Sequence, residues 1–587
     1  MIRIVRLIII TIVFGSFTIP LTAQKILPKD YFISPLDTLL QVTGTFGELR
    51  LNHFHSGVDF RTHEREGLPV HAVADGKVVR IKVSPFGFGR ALYIDHPNGY
   101  TTVYGHLQKF SPELERYVRK EQFRQQSFDV DVFPTSAIKV KQGDTIAFSG
   151  NSGGSFGPHL HFEIRNTKSE RPINPLFFGL PVTDTVPPFI NLFQALPVGK
   201  SSSVNDSIVP VTFAVSKDSM NIYHLKTNDT LRIFGKAAFG VQAFDYFYNR
   251  RDQNGYYSFS LYDNSNLIFQ YAADSFAFDE SRYINACLNY NAYYLKGNRI
   301  LQSNRMPNNL FSLYNRDNGP GVIDFTNGKL HQLDVVIADV AGNEARLEVF
   351  AKGYVPSTIP MSVDSLVSKF DTIVNFTYKH SNTFNTPEIN VEIPGDALYD
   401  TLAFGYSISP RIKKTYSALH LIHNPLTPLQ QRITVSIKAD SLPERLRDKA
   451  LLVRIADGKR NSSGGTWKNG YVTCKTWYFG YYTIGVDTIP PKIKPVPPPY
   501  RPRSRKHHHQ PQAKRTKLSF IITDNFSGID SYRATINDKW ALMEYDAKND
   551  LLTYNYDNLL KHGKNSFRLT VTDEKGNKSS YFKTITR

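Results

Sequence analysis

Gly157-Pro158-His159-Leu160-His161-Phe162-Glu163 alternates polar and apolar residues. Residues two apart in a strand point to one side, so His159 and His161 face together while Leu160 and Phe162 turn into a core behind them. Two imidazoles on one face of a rigid strand are a start on a metal site. Zinc takes about four tetrahedral ligands from neutral His and carboxylate, and a catalytic site keeps one position for water.

Working outward, short runs of Val, Ile, Tyr, Phe and Thr bounded by Gly, Pro, Asn and Asp read as strands. Val70 to Ile81 reads strand, turn at Asp75-Gly76, strand; Ala91 to Tyr104 does so around Pro97-Asn98-Gly99, and Ile138 to Ser149 around Gln142-Gly143-Asp144. The fold class expected is therefore all-β or mainly β, with an antiparallel first domain. The exception is Ser111 to Gln126, where Ser111 can cap, Pro112 suits the first helical position, and Leu114, Tyr117 and Val118 share a face.

Two more histidine clusters precede the quoted stretch: His53-Phe54-His55-Ser56-Gly57-Val58-Asp59-Phe60 and Tyr104-Gly105-His106-Leu107. His55 and Asp59 can supply two further ligands, Gly57 permitting a bend between them. Alone, a His-x-His pair is usually a surface feature. Three such clusters in order, with matching neighbours, are not.

The stretch from about Gly44 to Arg165 resembles the lysostaphin-type, or β-lytic, family of zinc endopeptidases. Its motifs stand here as His55-Ser56-Gly57-Val58-Asp59, Gly105-His106-Leu107 and His159 through Glu163, supported by Pro69 to Val78 and Val140-Lys141-Gln142-Gly143-Asp144. The resemblance implies one Zn²⁺ on His55, Asp59 and His161, with His106 and His159 as the catalytic pair, and hydrolysis of peptide cross-links or stem peptides in bacterial peptidoglycan. There is no His-Glu-x-x-His helix, so a Glu base is not expected. Some relatives of this family have lost ligands and act as wall-binding activators of other hydrolases, which is one alternative; the other keeps the activity but turns it on Gly-rich proteins outside the wall.

Glu163 is expected to orient a ligand from behind, or to be structural, and Arg50 to contact substrate. His53 is set aside because the family's ligand stands four residues before the Asp. His63, His71 and His96 read as surface or turn residues. Ser155-Phe156-Gly157 departs from the family's Ser-Thr-Gly, and the helical insertion 109–135 exceeds a minimal domain and is expected to wall the cleft or restrict access.

The 587 residues suggest three to five domains at about 100–200 residues each. Residues 1–23, with Arg3 and Arg6 before an apolar run from Leu7 to Phe17 and small residues at Thr22-Ala23, read as a secretory signal peptide. The run is shorter than the ~20 residues of a spanning helix, which argues against an uncleaved anchor, and no later segment has the length and apolarity to span a membrane. The expected destination is the periplasm or cell envelope, or outside the cell. Cys287 and Cys474 fall in different expected domains, so no disulfide framework is expected.

The peptidase domain is expected at 36–180. Asp184-Thr185-Val186-Pro187-Pro188 and Asp487-Thr488-Ile489-Pro490-Pro491 mark joints, each followed at a distance by a turn, Asp339 to Asn343 and Asp573 to Asn577. That pairing resembles bacterial immunoglobulin-like modules and implies β-sandwiches at 187–355 and 487–587, with another at 356–482. These are expected to hold the enzyme near the wall or to bind envelope proteins. Of the net charge of +18, nine Lys or Arg lie between Lys492 and Lys517 with no acid among them, beside His507, His508 and His509. That Pro-rich basic insert reads as a solvated linker; no motif suggests nucleic acid.

Overall fold

The computed structural model describes residues 27–227, 229–247, 252–314, 319–356, 370–497 and 516–587. The expected signal peptide and most of the basic insert, including its three histidines, lie outside the described residues. Strands hold 48% of the chain and helices 8%, so the chain is mainly β. Among the described residues no helix is long and apolar enough to cross a membrane.

The first region is built from β1 (Val42–Gly44), β2 (Val58–Arg61), β3 (Gly76–Val83), β4 (Arg90–Asp95), β5 (Tyr100–Gly105), α1 (Pro112–Gln125), β6 (Val130–Val132) and β7 (His159–Asn166). Its main sheet runs β1-β2-β7-β5-β4-β3-β6. A second sheet of Pro69–His71, Thr145–Phe148 and Lys109–Phe110 packs against it, and Phe60, Leu160 and Phe162 share one core with Val70, Phe110 and Ala147. Of the three expected strand-turn-strand segments, only the one around Asn98 is a hairpin, β4 with β5. At the other two turns the chain changes sheet: Gly76 onward pairs with β4 whereas Pro69–His71 pairs with Thr145–Phe148. The two turns hold each other, Gln142 N donating to Asp75 Oδ1 at 2.8 Å.

Helix α1 forms where expected and buries Leu114, Val118 and Gln122, but the Ser111 side chain makes no cap. Its backbone N instead donates to Ile146 O at 2.8 Å, tying the helix start to the second sheet.

Residues 187–355 do not form two separate sheets. A single ten-stranded sheet closes on itself through β8 (Phe189–Val204), β9 (Leu231–Phe244) and β10 (Glu344–Gly353), β9 and β10 pairing in parallel. Strands of 16 and 14 residues are long enough to serve both faces. They bend at a register shift between Val198 and Ser203, opposite Gly235, whose φ is +76° and where an added Cβ would lie 2.5 Å from Ser202 Oγ. By contrast, six- and five-stranded sheets share one core between Phe376 and Ile484, the last strand running to Val486 rather than ending at 482. Two four-stranded sheets share the core from Leu518 to Ile585. The first residues of the expected insert, Lys492–Val496, are an edge strand of the latter, a position that tolerates Pro495.

Each proline joint is bonded to its distant turn. Asn343 Nδ2 donates to Asp184 O at 3.4 Å and Asp339 Oδ2 at 2.8 Å; Asn577 Nδ2 donates to Asp487 O at 3.1 Å and Asp573 Oδ2 at 2.8 Å. The regions also interpenetrate. Phe46 and Phe54, from the first region, lie in the core of the second, and Leu542, from the last, lies in the core of the first. Phe123 of α1 meets Trp540 edge to face at 5.2 Å, and Arg119 pairs with Asp557 at 3.1 Å. Thus the insertion docks the last region. Cys287 and Cys474 are buried and unpaired, in separate cores.

Candidate metal centre

Asp59 on β2 stands opposite His161 on β7, which on its other side stands opposite Gly105 at the end of β5. Directly opposed residues share a face of the sheet, so the ladder itself brings these side chains together. A Cβ at Gly105 would lie 3.2 Å from His161 Cβ. Gly57 is required for a different reason from the expected bend: its φ is not left-handed, but a Cβ there would lie 2.4 Å from Phe162 O and 2.9 Å from His161 Cε1. Only glycine lets the chain carrying His55 run this close to β7.

Three ligand atoms converge. His55 Nε2 is 3.0 Å from His161 Nδ1 and 3.1 Å from Asp59 Oδ1, and His161 Nδ1 is 2.9 Å from Asp59 Oδ1. Adjacent donors of a tetrahedral zinc are about 3.3 Å apart when each bond is about 2.0–2.1 Å, so the triangle is of the right size. Its chemistry also fits. His55 Nδ1 donates to Thr45 O at 2.8 Å. In the neutral ring that leaves Nε2 as a bare acceptor. Asp59 Oδ1 is a second acceptor, and His161 Nε2 donates to Glu163 Oε1 at 3.1 Å, which directs the Nδ1 lone pair into the same space. What belongs among three such atoms is a cation. Burial pulls the His161 pKa down, but Asp59 and Glu163 raise it above its ordinary value. Burial would lift Asp59, yet His55, His159 and His161 hold its carboxyl well below the usual range.

His106 and His159 flank the triangle, their rings 4.8 Å apart. His106 Nδ1 donates to Ser152 O at 2.9 Å, and His159 Nδ1 to Gly157 O at 2.9 Å. In the neutral form of either ring, donation at Nδ1 leaves Nε2 as the acceptor. His159 Nε2 is buried without a partner, 3.5 Å from Asp59 Oδ1. Burial, and then His161 and His159, push His106 down to about 3; burial, and then Arg50, push His55 down to about 4. His106 sits at φ 57°, a left-handed conformation costly for a residue with a Cβ and found at working sites.

Glu163 is fully buried. It accepts from Ser56 Oγ at 2.5 Å, His161 Nε2 at 3.1 Å and Arg165 Nε at 2.6 Å. Burial raises its pKa, but Arg165, His161 and Ser56 together more than reverse that, to about 2. Arg50 donates to Asp59 Oδ2 at 2.6 Å, so its guanidinium is spent on Asp59. His53 is exposed, with Nδ1 bonded to Leu51 O at 2.8 Å, and His63 lies in an exposed turn. His71 pairs with Asp37 at 3.0 Å. His96 is buried, not at the surface, bridging Asp75 O and Thr102 Oγ1, each at 2.8 Å. Not foreseen were the carbonyls of Thr45 and Ser152, which set two tautomers, and Phe88, which stacks on His161 at 4.8 Å. A backbone carbonyl has no side-chain signature to betray it.

Residues 53–123 and 132–175 match the model of peptidase family M23. This chain carries an M23 peptidase domain. The M23 domain is 34% identical over 130 residues to "DD-carboxypeptidase/endopeptidase Mpg" of Neisseria meningitidis, covering 22% of this chain and 24% of that one. It is 31% identical over 159 residues to "Peptidoglycan DD-endopeptidase ShyA" of Vibrio cholerae, covering 26% and 31%. The match thus spans about a quarter to a third of these relatives. Among solved structures, the lysostaphin catalytic domain of Staphylococcus simulans is 27% identical, covering 24% of this chain and 91% of that one with a TM-score of 0.18. Beyond the M23 domain, residues 374–487 match the Zu5-like domain model.

Proposed function

We propose that the M23 domain is a zinc endopeptidase that hydrolyses peptide cross-links or stem peptides of bacterial peptidoglycan. The observation that carries this is the triangle of His55 Nε2, Asp59 Oδ1 and His161 Nδ1, flanked by the imidazoles of His106 and His159, each held at Nδ1 by a backbone carbonyl. His55, Asp59 and His161 would hold one Zn²⁺. When bound, zinc lowers the pKa of a water towards 7 and polarises the scissile carbonyl.

His106 and His159 act on protons. Each ring is fixed at Nδ1 by a carbonyl, so its Nε2 faces the cleft ready to take the proton of the attacking water; as an imidazolium it then donates to the leaving amine or to the oxyanion. Glu163 fixes the His161 tautomer, and Arg50 holds Asp59 by the oxygen turned away from the histidines. Residues 1–23 direct export, and the wall is met in the cell envelope.

The test is digestion of purified peptidoglycan by residues 24–587, with products identified by mass spectrometry. Peptide cleavage that EDTA abolishes, zinc restores and His159→Ala removes is expected. Protein with one zinc per chain that cuts no sacculi would overturn the reading. Cleavage of elastin-like protein instead would move the substrate to Gly-rich proteins.

A further inference from the structure

Between residues 47–49 of the first region and the second region lies a cavity walled by Glu48, Phe244, Asn254, Tyr256 and Arg299. It has about 60 Å³ of room for the centres of water-sized groups, enough for roughly four to six non-hydrogen atoms at ~10–15 Å³ each. Three polar atoms of these wall residues, Glu48 Oε2, Asn254 Oδ1 and the Tyr256 hydroxyl, are buried and have no hydrogen-bond partner among the described residues. Asn254 is 2% exposed and Tyr256 7%. Folded chains rarely leave such atoms without a hydrogen bond; Glu48 Oε2 has only the Arg50 guanidinium, at 3.8 Å, and three such atoms around one cavity indicate that something else meets them.

The wall states what that is. Asn254 Nδ2 gives one of its two protons to Asp252 O at 3.3 Å, and the atom left without a partner is the acceptor Oδ1. Glu48 offers another, with charge, and Tyr256 a hydroxyl. This set suits a group rich in N–H donors and positively charged. Arg299 Nη1 stands 3.8 Å from Glu48 Oε1, beyond hydrogen-bond reach, with its side chain 42% exposed. It offers a fork for a carboxylate. Leu49, Ala243 and Phe244 line the remainder.

We propose that this cavity binds a free α-amino acid of glycine or alanine size, its ammonium among Glu48, Asn254 and Tyr256 and its carboxylate on Arg299. Both charges must lie on one small residue, which excludes the end of a longer peptide. The site is two side chains from the metal triangle: Glu48 Oε2 is 3.8 Å from Arg50 Nη2, which bonds Asp59.

The test is calorimetric titration of residues 24–587 near neutral pH with glycine, D-alanine and L-alanine, and with alaninamide and acetate as probes lacking one charge. At least one amino acid should bind once per chain, with each single-charge probe at least about tenfold weaker, because a site built for a polar group rejects its absence. Glu48→Gln, which keeps the shape, and Arg299→Ala, at the surface, should each weaken binding by at least about tenfold, with the thermal midpoint of the free protein as the check on folding. No saturable heat with any amino acid means that water alone fills the cavity, and the proposal falls. It falls equally if acetate or alaninamide binds as well as alanine, a result that needs no variant. No metal or substrate enters the titration, so its failure leaves the peptidase reading standing.

Discussion

Phe54 of the M23 domain stacks on Phe311 of the second region, with ring centroids 4.5 Å apart and planes 15° from parallel. The next residue is His55. The candidate ligand is therefore positioned by a core outside its own sheet, and Phe54 N is fixed there as well, donating to Ser281 Oγ at 2.9 Å.

Phe311→Ala removes a fully buried ring and should cost about 3–5 kcal/mol in the second core. It should also loosen zinc binding, since His55 loses its anchor. Thermal unfolding and zinc titration of the same variant would show both. A variant that is destabilised yet binds zinc like the wild type would mean that β2 and β7 alone position His55.

Glu163→Gln keeps the shape but removes the acceptor charge behind His161. The expected result is a 10–100-fold loss of zinc affinity, the usual effect of losing such a partner. Competition with a chelator measures it. Unchanged affinity would assign Glu163 to packing with Ser56 and Arg165.

The carboxyl oxygens of Asp184, Asp245 and Asp339 lie within 4.8 Å of one another. Burial, reinforced by Asp184 and Asp339, pushes Asp245 up to about 8, and burial pushes Asp184 up to about 6. Both lie above the ordinary 3.8, so the native chain holds more protons than the unfolded one between these values. The stabilisation is full below about pH 4 and is lost as pH rises through 6 and 8. Urea midpoints of the second region should fall over that window, and Asp245→Asn should flatten the slope. An equal slope in the variant would place the titrating group elsewhere.

Lys548 donates to Asn151 O and Gly153 O, the two residues flanking Ser152, whose carbonyl holds His106. Lys548→Ala should leave zinc content unchanged and lower kcat several-fold, as expected from a lost interaction of about 0.5–1.5 kcal/mol. Full kcat in the variant would show that the 150–157 turn keeps its shape unaided.

The catalytic strand was legible because alternation assigns a face: with His159 and His161 on one side, Leu160 and Phe162 had to be core. Partners were not. Val70 and Gly76 read as one strand pair, yet they lie in different sheets, since a turn signal marks where a chain reverses and not where it goes. Likewise the proline joint and distant turn of 187–355 implied a sandwich, and what closes its strands into one curled sheet is the length of β8 and β9 and the bend at Gly235. Phe46 and Phe54 belong to the first region in sequence and to the second core in space; apolarity says that a ring is buried, not in which core.

Leu542 completes a core whose other members are nearly all made before residue 180. A chain synthesised from its N-terminus must therefore wait about 400 residues for the piece that seals α1, roughly 20–80 s at ~5–20 residues per second. The histidines are translated early, but their domain is finished only when the whole protein is.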